Sequence, residues 1–510
     1  MHPLDRLIAQ ISPERALRRA QARTALAYYE AAKPDHQRKF HRDRRGPNLL
    51  ADQGAIALRT QMRHLDRNHD LVVGALNVLV NNTIGPQGIG VEFQPRRADG
   101  TIHTEYAAAL AEAWRDWQRR PEVTWRHTWP QCQRLLARTW YRDGEAFSQR
   151  LRGQVDYLDH GTRVPYSLEL LEPDFVPVEF TDATKSIRQA IEVNAWNRAV
   201  AYWVYRTHPG EGTSLPSTAD MKRIPADRML HLAERSRIGQ LRGITRFASV
   251  IQRIGDIKDY EESERIAAKV AAMLTAYVKR QAPVDEGYVP TIDPATGKPV
   301  ARDIALQPGV IIDTLAVGEE IGLIDSKRPN PNLVTFRNGQ LRAFAAGINA
   351  SYSSVSRNYD GTYSSQRQEL VEQFVHYACL TDDFVGQTVA PVVEDFIAVA
   401  HLSGVASRPR DVKPGTDNDV LYVAPSMPWI DPAKEALAWL TLVRAGFASE
   451  VEVIRRRGQV PDALLEQVKE WRRKVTDAGV SFDSDAALVH AQAAAAMNDG
   501  GVPSPSTTGP

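Results

Sequence analysis

A chain of 510 residues is long enough for roughly three domains at the usual ~150 residues each. Charged residues make up 25% and hydrophobic residues 43%, the composition of a soluble globular protein. Basic and acidic residues number 63 and 62, a formal net charge of +1. That argues against a protein that grips nucleic acid statically, which needs a clear basic excess. It leaves room for a channel through which a polyanion slides.

Residues 1–30 lean basic, with Arg15, Arg18, Arg19 and Arg23, and Arg38 to Arg45 continue the trend. Leu17, Ala20, Ala25 and Tyr28 fit one face of a helix that Pro34 stops. Two readings stay open: a solvated terminus, or an arm that docks on a neighbour. Residues 51–83 read as helical. Gly85, Pro86, Gly88 and Gly90 then break the chain into a turn and a strand. Helices are predicted over Glu105–Gln118 and Thr128–Arg142, and the five tryptophans Trp114, Trp117, Trp125, Trp129 and Trp140 are expected to pack a core. From Glu145 to Leu232 short apolar runs alternate with turns: AFSQRLR, YSLELL, AIEVNAW and AVAYWVYR read as strands. Residues 31–240 are therefore expected to form an α+β domain.

Ile244–Lys279 carries a long helical pattern. Prolines replace helix formers from Gln281 to Asn332, and Val310–Asp325 reads as a β-hairpin about Gly318. Residues 277–332 thus form a small β-rich insertion between helices. Leu341, Phe344, Ala345 and Ile348 mark the next helix. The polar stretch 349–364 follows, crowded with hydroxyls and holding one cation, Arg357. A further helix buries Leu370, Phe374, Tyr377, Ala378, Thr381, Phe384 and Val385, with Ser364 or Ser365 as its cap and Glu369 in its first turns. Pro391, after Gly386, is expected to kink or split it. Residues 405–424 read as a polar connector. At least three short helices follow, one starting at Asp431-Pro432 and two ending at Gly446 and Gly458. The Ala-, Gly-, Ser- and Pro-rich tail, 491–510, is expected to be disordered.

Several of these segments together resemble tailed-phage portal proteins of the lambda-like type. They are GINASYSS and RNYDGTYSSQRQELVEQ within Gly347–Gln373, RRGPN at Arg44–Asn48, and HLDRNHDLVVGALNVLVNNTIGPQGI at His64–Ile89. LELLEPDFVP at Leu168–Pro177, GQLRGITRF at Gly239–Phe247 and MPWIDPAKEA at Met427–Ala436 complete the set, in family order. The resemblance runs from about residue 25 to about residue 460. It implies a portal-type α+β fold: a basic arm (1–30), a wing (31–240), a stem helix (241–276), a clip (277–332) and a second stem helix (333–348). A tunnel loop (349–364), a kinked spine helix with the rest of the wing (365–404) and a helical crown (405–490) follow. It also implies a homo-oligomeric ring, a dodecamer, at one capsid vertex of the virion, passing double-stranded DNA. The implied protein partners are the terminase large subunit, the major capsid or scaffold protein, and a head-completion or tail connector protein.

On that reading Asn349, Ser351, Tyr352, Ser353, Ser354, Ser356, Arg357, Asn358 and Tyr359 meet DNA weakly and without reading sequence. Without it, the same residues are a plain connection between helices. Asp303, Glu319, Glu320, Lys327 and Arg328 are the candidates for motor docking by the clip, on expected exposure. No P-loop, G-x-S-x-G, CxxC or H-E-x-x-H occurs. His64 and His69, five apart, do not share a helix face as metal ligands would. Glu319 and Glu320 are expected at a solvated turn, and of Asp382 and Asp383 one is expected to face water. Cys132 and Cys379 are read as buried reduced thiols. No enzymatic role, metal or cofactor is expected. The alternative is a DNA-handling enzyme of the nuclease class with scattered metal-binding carboxylates. No apolar run reaches the ~20 residues of a membrane span and no leader is read at Met1, so the chain is expected to be made in a host cytoplasm, with no membrane partner.

Overall fold

A computed structural model describes residues 12–19, 43–211, 217–273, 277–280, 294, 295, 297, 319–322, 332–425 and 432–480. The chain divides into two units, Met1–Leu50 and Ala51–Pro510. In the first, residues 13–19 are helical. The rest of the predicted N-terminal helix lies outside the described residues, as do 310–318, 426–431 and the tail from 481.

The helical run predicted for 51–83 is two helices, α1 (Pro47–Asn68) and α2 (Asp70–Thr83). The break falls at His69, which is buried with its Nε2 3.1 Å from the Ile254 carbonyl. Helices α3 (Thr104–Trp117) and α4 (Trp129–Asp143) match their predicted positions. Thr128 and Gln131 close a capping box on α4, and Gly144 ends it in the left-handed region at φ 91°. Between the two helices, Trp114 stacks on Trp117 at 4.8 Å and Trp117 on Tyr166 at 5.6 Å. Trp125 lies outside this core, largely exposed at φ 58°.

Every named strand pair is antiparallel. Strand β1 (Gly90–Phe93) pairs with β11 (Val420–Val423), Gly90 opposite Val423. The polar connector expected at 405–424 therefore ends in a strand that returns to the α+β body. Strands β2 (Glu145–Arg152), β3 (Tyr166–Leu171) and β8 (Met229–Ala233) form a sheet in the order β3-β2-β8. Strands β4 (Ile187–Arg188), β5 (Ile191–Val193), β6 (Ala199–Tyr205) and β7 (Met221–Pro225) form a second, in sequence order. Helices and antiparallel sheets thus coexist as the α+β class requires.

The long helical pattern is shorter than predicted at both ends. Helix α5 runs Ile251–Met273, and Tyr277–Arg280 is strand β9, paired with β10 (Glu319–Gly322). Glu319 and Glu320, expected at a turn, are therefore strand residues opposite Arg280 and Lys279. Helix α6 (Leu333–Ile348) lies antiparallel to α5. Phe247 meets Phe344 at 6.2 Å, Arg253 hydrogen-bonds Gln340, Tyr260 meets Phe336 at 4.9 Å, and Arg337 pairs with Glu261.

After a short helix α7 (Tyr352–Ser356), helix α8 (Tyr363–Phe384) passes through a π-turn (Val385–Val389) into α9 (Ala390–Leu402). The predicted break at Pro391 takes this form. Proline has no N–H to give, and one widened turn absorbs the defect without stopping the helix. Within that turn Gln387 accepts from the Ala233 amide at 3.1 Å, tying the continuous α8–α9 strut to β8. Phe396 on α9 sits 4.9 Å from Trp114, so the strut and the tryptophans share one core. Tyr377, Leu380, Thr381 and Phe384 are buried, whereas Ala378 is exposed. Cys379 is also exposed, contrary to expectation, because it lies off that face. Cys132 is buried, and desolvation pushes its thiol up to about 12. Asp382 and Asp383 both face solvent, one more than expected. Helices α10 (Pro432–Arg444), α11 (Glu450–Arg456) and α12 (Pro461–Asp477) follow, with Gly446 and Gly458 at φ 75° and 72° between them.

The segment joining β8 to α5 contains the GQLRGITRF run. Arg242 is fully buried and meets Glu145, also fully buried, at 2.6 Å. Glu145 further accepts from the Gly243 amide at 2.9 Å, from Arg59 at 3.2 Å and from His231 Nε2 at 3.0 Å. Gly243 must be glycine: a Cβ there would stand 2.0 Å from the Gly144 carbonyl oxygen. Burial works to raise the Glu145 carboxyl, but the Arg242 charge and the hydrogen bonds from His231 and Arg242 hold it well below its ordinary 4.5.

Removing one member of a buried pair strands the other charge. Arg242→Ala is expected to cost about 3–5 kcal/mol, read from the denaturation midpoint. An unchanged midpoint would show that the pair is dispensable.

His231 sets a pH dependence. Burial above all lowers its imidazole from the ordinary 6.5 to about 4, against the pull of Glu145. Between those values the unfolded chain takes up a proton that the folded chain refuses, so stability falls as pH drops from 6.5 towards 4. The depressed Glu145 adds loss in the same direction below its ordinary 4.5. His231→Gln, which cannot titrate, is expected to flatten the stability curve between pH 6.5 and 4. Parallel curves for the two proteins would refute this.

Candidate functional site

The polar stretch 349–364 is not an open loop. Asn349 ends α6 in the left-handed region at φ 52°, and the Ala350 amide donates back to the Ala345 carbonyl at 2.9 Å. Ser351 caps α7, accepting from the Ser354 amide at 3.2 Å. Arg357 ends α7, again left-handed at φ 56°. Thr362, not Ser364 or Ser365, caps α8, with its Oγ1 accepting from the Ser365 amide at 3.4 Å.

The hydroxyls of α7 are used inside the chain. Ser351 Oγ donates to Glu369 at 2.8 Å, the Ser353 amide donates to the same carboxylate at 3.0 Å, and Ser353 Oγ donates to its other oxygen. Ser351 is only 1% exposed. Ser356 Oγ donates to the Tyr352 carbonyl at 2.8 Å and accepts from the Asn358 amide at 3.2 Å. Tyr352 is half-buried under the Arg342 guanidinium, 5.2 Å from its ring centre. Val355 is in the core, and α7 lies against α2 and α6. Burial tends to raise the Glu369 carboxyl, but the hydrogen bonds from Ser353 and Ser351 outweigh it and leave it below its ordinary 4.5. The acidic residue expected merely to favour a helix start is the acceptor that organises the segment.

Of the nine residues predicted to meet a polyanion, Ser351 is corrected: it is buried and its hydroxyl is occupied. Ser353 and Ser356 spend their hydroxyls internally, and Ser354 and Tyr352 are partly covered. Asn349, Arg357 and Tyr359 are exposed, Tyr359 by 56%, and Asn358 is partly exposed. Of the motor-docking candidates, Asp303, Lys327 and Arg328 lie outside the described residues.

Among the described residues, one trio of metal-capable side chains is close enough to share an ion: Glu172, Asp174 and His208. Arg63 reaches into it, 3.2 Å from Glu172 and 2.6 Å from Asp174. That guanidinium already supplies the counter-charge. His64 and His69 do not converge: His69 is buried on the Ile254 carbonyl, and His64 is exposed.

The chain thus joins an α+β body, a long antiparallel helix pair and a polar turn held down by its own hydrogen bonds. The chain belongs to the family described as phage portal protein, lambda family, whose pattern it matches over residues 33–380. Among similar proteins, the probable portal protein of Halomonas phage phiHAP-1 is 25% identical over 437 residues, covering 83% of this chain and 81% of that one. The portal protein of Escherichia phage N15 is 22% identical, covering 56% of this chain and 59% of that one. Portal protein B of Escherichia phage lambda is 21% identical, covering 57% and 59%. The chain thus spans less than two thirds of those last two relatives. Among solved structures, a chain in the neck of a native gene transfer agent particle aligns at 12% identity and TM-score 0.40, over 81% of this chain and 99% of that one.

Asn349 holds one of the site's two left-handed backbone positions, Arg357 the other. Asn tolerates the left-handed conformation, whereas a β-branched residue does not. Asn349→Val is expected to lower stability by about 1–2 kcal/mol and Asn349→Gly to be nearly neutral, measured by thermal melting. Equal melting of all three proteins would contradict the assigned geometry.

Proposed function

We propose that about a dozen copies of this chain close into a ring at one capsid vertex, through a cyclic, heterologous interface, and that double-stranded DNA passes along its axis. Family membership supports the ring. The observation that carries the DNA reading is the charge of the exposed tip. Residues 357–362 hold one cation, Arg357, and one anion, Asp360, among polar and aromatic neighbours. Such a surface tolerates a phosphate backbone without braking it.

In this reading residues 31–240 form the wing, 241–276 and 333–348 the two stem helices, 277–332 the clip, 349–364 the tunnel loop, 365–404 the spine helix with the rest of the wing, and 405–490 the crown. The clip, with Asp303, Glu319, Glu320, Lys327 and Arg328, would dock the large subunit of the terminase motor. ATP hydrolysis would belong to that motor, since this sequence has no phosphate-binding loop. The same ring would meet capsid or scaffold protein, and later a head-completion or tail connector protein. Exposed apolar side chains on outlying helices suit subunit contacts: Ile266 on α5, Val334 and Phe336 on α6, Leu437 and Leu440 on α10.

A metal-dependent nuclease has one constellation in its favour, the Glu172, Asp174 and His208 trio, and Arg63 stands where the ion would. That reading requires DNA cleavage that depends on a divalent metal.

Negative-stain images of the purified protein are expected to show rings with a central hole. Arg357→Ala is expected to keep the rings and to change the rate of DNA packaging. A monodisperse monomer in all conditions would refute the ring, and loss of rings in the variant would refute the loop's place in the channel.

A further inference from the structure

We propose that Glu369 is the positioning residue of this loop: it clamps Ser351–Ser356 as a docked helical turn and leaves only 357–362 as the part that faces DNA. The second half of that statement rests on the channel reading; the clamp itself does not.

The geometry makes the clamp specific. One carboxylate on α8 takes three hydrogen bonds from the cap of α7, Ser351, and from Ser353 within it, two from hydroxyls and one from an amide. The acceptor is ionised, so these are charge-assisted bonds, stronger than neutral ones. Two further anchors share the load. Val355 is buried in the core, with α7 against α2 and α6, and the Ser351 amide donates to the Tyr377 hydroxyl at 3.4 Å. Val355 is nonspecific, and the Tyr377 bond is long. The Arg342 guanidinium also lies over the Tyr352 ring, 5.2 Å from its centre, but Glu369 alone makes three hydrogen bonds to the segment and so does most to fix its position and rotation.

The clamp sets the length of the tether. With α7 docked, the free chain is 357–362, six residues between two fixed ends. With α7 undocked, the free chain is 351–362, twelve residues, since Asn349 and Ala350 stay held by the end of α6. At ~3.4 Å per residue, a tip on the shorter tether reaches roughly 10 Å from its base and one on the longer tether roughly 20 Å. The clamp would thus decide whether the tip stands as a short rigid post or sweeps across the channel. It also removes Ser351 and Ser353 from the set of DNA contacts, leaving Arg357, Asn358 and Tyr359 at the tip and Asn349 at its base.

Arg357 supplies the probe. It is the one Lys or Arg between Arg342 and Arg367, so trypsin can nick this segment only there. Cleavage needs the flanking turn to open, and its rate follows the open population. In the assembled full-length protein, Glu369→Ala is expected to speed that nick by at least about tenfold with rings retained. Glu369→Gln, which keeps an acceptor but no charge, is expected to fall between. Should Glu369→Ala fail to assemble, Ser353→Ala removes one of the clamp's three donors, the Ser353 hydroxyl, and is expected to speed the nick in the same direction by less. Wild-type nicking rates in whichever variant assembles would overturn the clamp. A faster nick with unaltered packaging and DNA retention would leave the clamp standing and overturn the loop's place in the channel.

Discussion

The Arg242–Glu145 pair is the constraint on which the arrangement depends. Two opposite charges with no exposure have no solvent to fall back on, so each needs the other at one distance and one orientation. Glu145 opens β2, and Arg242 sits in the segment that leaves β8 for α5. Arg242 also donates to the Gln189 carbonyl at 2.9 Å, beside the second sheet. One side chain therefore registers both sheets and the departure of the long helix. Gly144 and Gly243 let the two backbones close up around it. Helix α6 takes its place from α5, and α7 and α8 follow from α6. The tip of the polar turn is thus positioned, through rigid elements, by a pair far away in sequence.

Much of the fold was legible because its signals are local. The capping box at Thr128, the left-handed Gly144 and the alternation in AFSQRLR and YSLELL act within a few residues, and α4, β2 and β3 fell where expected. What local pattern could not show was pairing. Val420–Val423 reads as the end of a polar connector because its partner lies some 330 residues earlier, at Gly90–Phe93. Tyr277–Arg280 carries helix-compatible residues and becomes a strand only because Glu319–Gly322 lies beside it. Cys379 looked apolar by its neighbours in sequence, but its own angle on α8 turns it to solvent.

The polar stretch and its helical flanks were legible in outline, and the direction of its side chains was misread, for one reason. Hydroxyl-rich composition announces hydrogen-bonding capacity and does not say who uses it. The stretch 349–364 was found, and its two helical flanks with it, yet Ser351 and Ser353 were assigned outward. The signal that would have turned them inward was Glu369 itself, an acid on the next helix with no basic residue at the helical spacings of three or four: Gln366, Glu372 and Gln373 flank it there, and Ser365 precedes it. An acid without a charge partner on its own helix is free to serve as acceptor for another segment. The buried charges behind Arg242 left a similar trace, an arginine inside a Gly-Gln-Leu-Arg-Gly run, where the second glycine marks close backbone contact.

Symmetry sharpens the electrostatic argument. In the proposed ring every side chain at the tip recurs in each subunit, so small charges multiply. A single unbalanced cation per copy would place about a dozen at one level of the channel, and each phosphate neutralised adds about 0.9 to the salt slope of binding. Even a fraction of those contacts would hold duplex DNA rather than pass it. Asp360, three residues after Arg357, cancels that charge within each copy before symmetry can amplify it. The internal consumption of the serine hydroxyls works in the same direction, since hydroxyls aimed outward would add their own bonds to phosphate in every copy. A tip meant to guide a polyanion is best built short, stiff and nearly neutral, and both the Glu369 contacts and the Arg357/Asp360 balance meet that demand with residues that no single-copy affinity would require.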